Sequence, residues 1–175
     1  MRRHLGLLVA STLLLAGCST SAGLMQDDTR VVQIAATKRA ASITISGISL
    51  DGQRISSKSL DGIVVVNAWA SWCRTCILEW QDLQEVARDN PDVEFLGLNE
   101  SDSKQAALKF LTTHPTNYEH IFDPDNAILN KIKDLPSLAI PTTLILDKQH
   151  RIAARILGQV YRGKLQEILS NLRAE

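Results

Sequence analysis

The chain has 175 residues, enough for one domain with some appended sequence. Its 45% apolar and 22% charged content is that of an ordinary globular protein, and its 19 basic and 19 acidic side chains form no basic stripe, which argues against nucleic-acid binding. The three cysteines, Cys18, Cys73 and Cys76, are too few for a fold stapled by disulfides, so a hydrophobic core must hold it and the cysteines are expected to have chemical jobs.

The chain opens on Arg2 and Arg3, followed by an apolar run from Leu5 to Leu15. That run is too short to cross the roughly 30 Å hydrocarbon core as a permanent helix, and with its charged start it predicts a secretory signal. Leu15-Ala16-Gly17-Cys18 resembles a bacterial lipobox. The resemblance implies that residues 1–17 are removed and that Cys18 becomes a lipidated N-terminus. Two acyl chains hold a protein at a membrane where one holds only marginally, since each buried CH₂ contributes about 0.8 kcal/mol. The polar stretch that follows suits a flexible tether. The expected organisation is therefore a signal at 1–17, a lipidated tether at 18–41 and a single domain at 42–175. The chain is expected to sit outside the cytoplasm, anchored to a membrane.

Val31-Val32-Gln33-Ile34 is a candidate edge strand, and Ala35 to Ala41 gives no clear signal. Ile43 to Ser46 alternates apolar and polar residues as a half-buried strand does. Asp51-Gly52 signals a hairpin turn, with a returning strand over Gln53 to Ser56. Ile63-Val64-Val65-Val66 is a β-branched run suited to a strand buried on both faces. A helix is predicted from about Cys73 to Arg88, ended by Asn90-Pro91, and a buried strand from Val93 to Leu98. Asp102 or Ser103 can cap a helix reaching Thr113, and Asp123-Pro124 can start another running through Ile132. Strands over Thr142 to Leu146 and Arg151 to Leu157, joined by a turn, precede an amphipathic helix over Arg162 to Leu172. Strands alternating with helices predict an α/β sheet with helices on both faces.

Trp72-Cys73-Arg74-Thr75-Cys76 falls where a buried strand ends and a helix begins. A helix N-terminus offers unpaired N–H groups and a partial positive charge, which stabilise a thiolate, the form of cysteine that attacks disulfides. Two intervening residues let both sulfurs meet on the first helical turn. Cys73 is expected to be the attacking thiol, and Cys76 the shielded one that resolves the mixed disulfide. A structural zinc site would need two further ligands, and no second CxxC exists to supply them. An inert disulfide closing so short a loop brings little entropic benefit.

Asn67-Ala-Trp-Ala-Ser-Trp-Cys-Arg-Thr-Cys76, then Glu79, then Ile140-Pro141-Thr142-Thr143-Leu144-Ile145-Leu146-Asp147, resembles the TlpA/ResA branch of the thioredoxin superfamily over about Ala41 to Leu172. The resemblance implies a thioredoxin-like fold with an N-terminal β-hairpin extension, a central insertion between Leu98 and Leu138, and a mixed sheet flanked by helices. It implies a cis bond between Ile140 and Pro141 beside the cysteines, with Ile140 offering backbone groups to an extended substrate. It places Glu79 near the thiols, where a partly buried carboxylate raises thiol pKa and moves protons. Thioredoxin's buried acid, six residues before the first cysteine, corresponds to Asn67.

The sequence departs from the family pattern at Arg74-Thr75, which replaces a pair ending in proline, at Gln81 in place of a helix proline, and at Ala139 in place of a glycine. A cation at Arg74 favours the Cys73 thiolate and so opposes Glu79. Trp69, Trp72 and Trp80 read as packing residues, with Trp72 also placed to shield the disulfide or touch substrate. His114, His120 and His150 receive no role.

The resemblance implies an extracytoplasmic disulfide reductase without cofactor or metal. Its expected partners are exported proteins such as apocytochrome c during cytochrome c maturation, and an integral membrane thiol-electron transporter that re-reduces the pair. The alternative on the same fold is an oxidase that installs disulfides in secreted proteins. A copper-handling chaperone would use CxxxC and a distal histidine, and a peroxidase would need a threonine-flanked peroxidatic cysteine upstream, which the sequence lacks.

Overall fold

A computed structural model describes residues 30–133 and 140–175. The expected signal, Cys18 and Ala139 lie outside the described residues. In chain order the elements are β1 (Arg30–Gln33), β2 (Ser46–Ile48), β3 (Arg54–Ser56), β4 (Ile63–Trp69), α1 (Arg74–Asp89), β5 (Val93–Glu100), α2 (Lys104–Thr113), β6 (Glu119–Asp123), β7 (Thr142–Leu146), β8 (Ile152–Leu157) and α3 (Arg162–Arg173). Single 3₁₀ turns lie at Ala36–Lys38, Ser57–Ser59 and Leu129–Lys131.

All seven residues of β4 are buried, as its β-branched run predicts, and it runs near the middle of a six-stranded sheet ordered β1-β8-β7-β4-β5-β6. It pairs parallel to β5 and antiparallel to β7, so the sheet is mixed. Helices α1 and α3 cover one face through Leu83, Val86, Leu165, Ile168 and Leu169, packed on Val65, Phe95, Ile145 and Ile156. Each such side chain taken fully from water contributes about 1.5–3 kcal/mol. The opposite face, expected to carry helices too, is covered among the described residues by the β2–β3 hairpin, a 3₁₀ turn and irregular chain, with Ile45, Ile55, Leu60 and Leu129 packed on Val64, Val66, Leu96 and Leu144. The β2–β3 hairpin turns at Gly52, whose φ of 95° is accessible to glycine at little cost.

Three expectations are corrected. The segment Ile43 to Ser46 is not a strand; β2 starts at its last residue. Its alternation reflects the burial of Ile45, whose N–H donates to Ser57 Oγ and whose carbonyl accepts from the Ser57 N–H. No α-helix follows Asp123-Pro124. The Asp123 carboxylate accepts the N–H groups of Ala127 and Ile128, and Asn126 takes a left-handed φ of 53°, which leaves only a 3₁₀ turn at Leu129–Lys131. The tether does not extend to residue 41, because β1 pairs with β8 and Arg39 bonds the buried Asp147 at 3.1 Å. The edge strand expected over Val31 to Ile34 is thus part of the domain, and Arg39 adds ion pairs to Asp147 and Glu175.

The central insertion is the crossover from β5 through α2 to β6, which adds a parallel strand at the sheet edge. It carries His120 beneath the redox end. Trp69 Nε1–H donates to His120 Nδ1 at 3.0 Å, and Thr116 Oγ1 meets Nε2 at 2.8 Å. Burial pushes the imidazole down to about 4, so the ring is neutral and its Nε2–H donates to Thr116. Trp69 and Trp80 lie against it with ring centroids 5.3 and 6.0 Å away, and Phe110 packs on both tryptophans. The ring has room because its partner in β5 is Gly97, where a Cβ would come within 1.9 Å of His120 Nδ1. Gly97→Ala is expected to destabilise the protein by about 1–3 kcal/mol. Urea denaturation measures it, and the cost should shrink in a His120→Ala background.

Candidate active site: the Cys73–Cys76 pair

Strand β4 ends at Trp69, and a turn closed by the Cys73 N–H on the Ala70 carbonyl leads into α1. Cys73 is the N-cap of that helix, and the Cys76 N–H donates to its Sγ at 3.2 Å. The two sulfurs are joined in a disulfide. Cys76 is fully buried, whereas Cys73 keeps 6% of its surface exposed. Trp72, at 61% exposed, flanks the pair and donates its indole N–H to the Ser101 carbonyl at 2.9 Å. Trp69 and Trp80 are instead buried, as packing residues are.

The Ile140–Pro141 bond is cis. Ile140 packs partly buried against the cluster that holds both cysteines, which places this loop beside the disulfide. The Pro141 carbonyl accepts the Gly158 N–H at 2.9 Å.

Glu79 follows Cys76 by one helical turn and is fully buried. Its Oε1 accepts Asn67 Nδ2–H at 2.8 Å, and its Oε2 accepts the Val160 N–H at 2.7 Å. Asn67 Nδ2 also donates to Thr143 Oγ1 at 3.1 Å. Burial outweighs these two bonds and pushes the carboxyl up to about 8. Asn67 thus stands where thioredoxin has its acid and holds Glu79 in place. The opposing cation, Arg74, lies on the exposed face of the first turn.

A second carboxylate, read from sequence only as a candidate helix cap, also reaches this site. Asp102 accepts four hydrogen bonds, two of them from Ser71 in the turn before Cys73. The helix cap expected at Asp102 or Ser103 falls to Ser103, whose Oγ accepts the Ala106 N–H. Glu100, paired in register with Asp123, is buried and pushed up to about 8 by burial and then by that neighbour. Among the described residues no group of three or more His, Cys, Asp or Glu is placed to hold a metal ion.

A thioredoxin-like sheet with a redox-active-type disulfide at the N-terminus of its first long helix, beside a cis-proline loop, defines a thiol–disulfide oxidoreductase. Residues 36–155 match the AhpC/TSA family, and the chain belongs to it. It is 29% identical to the thiol:disulfide interchange protein DsbE of Allochromatium vinosum over 85% of this chain and 83% of that one. It is 24% identical to the thiol-disulfide oxidoreductase ResA of Bacillus cereus over 70% of this chain and 71% of that one. A secreted thiol-disulfide isomerase of Corynebacterium glutamicum superposes with a TM-score of 0.78 at 30% identity, covering 89% of this chain and 96% of that structure. The chain is thus similar to both DsbE and ResA proteins, in keeping with the TlpA/ResA-like pattern of its motifs, and its substrates are proteins carrying disulfides or dithiols.

The raised carboxyls contribute a loss of stability as pH rises, opposed between about pH 4 and 6.5 by buried His120, which the unfolded chain protonates more readily. Below about 4.5 Glu79 and Glu100 are protonated whether folded or not, and their neutral burial is undisturbed. As pH rises toward 8 the unfolded chain ionises them while the folded one resists, so stability falls across that window. In the disulfide form, where the cysteines do not titrate, Glu79→Gln should flatten this fall by an amount on the order of a few kcal/mol. Urea denaturation at pH 5 and pH 8 compares the two proteins.

Proposed function

We propose that this protein is an extracytoplasmic, membrane-anchored reductase of disulfides in exported proteins, with the CxxCH cysteines of apocytochrome c as its substrate. The observation that carries the reading is the contrast in burial between the two ionisable groups near the pair. Arg74 is exposed and screened by solvent, whereas Glu79 is wholly buried one turn from Cys76. A buried carboxyl disfavours thiolates nearby, and a dithiol whose thiolates are disfavoured gives up its electrons more readily.

In this mechanism the Cys73 thiolate attacks one sulfur of the substrate disulfide. A Cys73–substrate disulfide forms as the substrate bond breaks, and the released substrate thiolate takes up a proton. The Cys76 thiol loses its proton to the Glu79 carboxylate, and its sulfur attacks Cys73 Sγ. The mixed disulfide breaks, the second substrate thiolate leaves and is protonated, and the Cys73–Cys76 pair has given two electrons. Trp72 supplies an exposed aromatic face to the bound substrate, and Ile140, ahead of Pro141, supplies backbone groups to an extended segment. An integral membrane thiol-electron transporter returns the two electrons.

The anchor is Cys18, lipidated after removal of residues 1–17. Its position suits the mechanism. Arg30 pairs with Leu157, Leu157 with Thr142, and Thr142 with Ala68, so β1 begins at the redox end of the sheet. Two strand spacings, about 10 Å, separate Arg30 from the residue after Pro141. The 12 residues from Cys18 to Arg30 (30 − 18) reach at most about 40 Å, which keeps the redox end near the membrane that holds its electron donor. The secreted character of the Corynebacterium glutamicum relative supports the compartment.

Cys76→Ser should accumulate a covalent adduct on Cys73 with substrate, visible on non-reducing gels, while Cys73→Ser should not. The reduction potential, measured against defined thiol buffers, should lie well below about −200 mV; a value near about −120 mV would mark an oxidase instead. Glu79→Gln should slow resolution of the mixed disulfide about a hundredfold at pH 7 and remove the rate component that titrates near 8. Incorporation of labelled fatty acid that is lost in Cys18→Ala tests the anchor.

A further inference from the structure

The turn that delivers Cys73 to the helix is held from outside itself. Asp102, in the loop between β5 and α2, accepts the Ser71 N–H on Oδ2 at 2.6 Å and the Ser71 hydroxyl on Oδ1 at 3.0 Å. Its remaining bonds come from Asn99 Nδ2 at 3.1 Å and from the Ser103 N–H at 2.8 Å. Four donors fill the lone-pair sites of one carboxylate, so the group has no freedom to move apart from the turn. One residue away, the Ser101 carbonyl takes the Trp72 indole N–H. Ser101 holds a left-handed φ of 47°, and its hydroxyl donates to Asn126 Oδ1 at 2.9 Å. The β5–α2 loop therefore grips the redox turn at two successive residues, Ser71 by its backbone and hydroxyl and Trp72 by its ring. Trp72 is thereby exposed yet tethered: its indole N–H is fixed and most of its surface faces solvent.

We propose that Asp102 is a positioning residue for exchange with protein substrates: it fixes the turn that presents the Trp72 face beside Cys73. This rests on the reading of Trp72 as a substrate contact given above. A side chain ordered before binding does not lose its freedom on binding, so a fixed Trp72 favours capture of a large substrate. A small disulfide that reaches the sulfur without the tryptophan gains nothing from it. Asp102 touches neither sulfur, and its effect passes through Ser71 and Trp72.

The test compares two substrates on the full chain in mild detergent, with dithiothreitol as electron source: insulin, a protein disulfide, and a small aromatic disulfide. Asp102→Ala should raise KM for insulin by about tenfold, the size expected from losing charge-assisted hydrogen bonds, with turnover of the small disulfide unchanged. Asp102→Asn, whose amide oxygen still accepts from Ser71, should recover most of the loss. Ser71→Ala, which removes only the hydroxyl bond, should show a smaller rise in KM, and it carries the test if Asp102→Ala fails to fold. Equal losses on both substrates would overturn the proposal, since they would mark a general structural role, and so would an unchanged KM for insulin. Wild-type protein inactive on both disulfides would overturn the functional reading as well, whereas wild type active on the small disulfide alone, or active on both with unaltered variants, would overturn the role of Asp102 alone.

Discussion

The buried carboxyl of Glu79 is the tie on which the redox end depends. It is bound by Asn67 from β4 and by the Val160 N–H from the loop between β8 and α3, so it joins the central strand, the redox helix and the last crossover of the chain. Its burial, one helical turn from Cys76, raises its affinity for protons toward neutral pH, the property that the proposed role as proton acceptor for Cys76 requires.

Around this tie the redox pair is assembled from three parts of the chain. The strand–helix junction supplies Cys73 as an N-cap, the β7 end supplies the cis-proline loop, and the β5–α2 loop clamps the intervening turn. The insertion that carries α2 and β6 is therefore more than an added edge. Its first loop grips Ser71 and Trp72, and its strand places a neutral histidine under Trp69. The rings of Trp69, Trp80, Phe110 and His120 form a packed floor beneath the disulfide, which leaves Trp72 as the one tryptophan facing outward.

Much of this was legible in the residues. Period and composition placed β4, α1, β5, α2, β7, β8 and α3 within a few positions, because each is a continuous pattern of burial or a capped helix. Failures came where a local pattern had more than one meaning. Ile45 alternates like a strand residue but is buried in irregular chain, and Asp123-Pro124 looks like a helix start although its carboxylate caps a turn that Asn126 breaks. Residues 31–34 read correctly as an edge strand, yet the expected tether runs on through residue 41, because the partner of that strand is β8, more than a hundred residues away.

The sequence by itself determined the chemistry: two cysteines at a spacing that places both sulfurs on one helical turn, at the end of a strand too apolar to lie anywhere but the core. These are short-range facts, governed by the helical repeat and by β-branched side chains. Only the tertiary structure decided how that chemistry is tuned. Arg74 and Glu79 have opposite effects and similar distances along the chain, and nothing local says that one lies in solvent and the other beneath Asn67 and Val160. Asp102 is likewise an unremarkable acid until folding brings it to Ser71, 31 residues earlier. Burial and long-range hydrogen bonding depend on which surfaces meet, and a linear sequence does not state that.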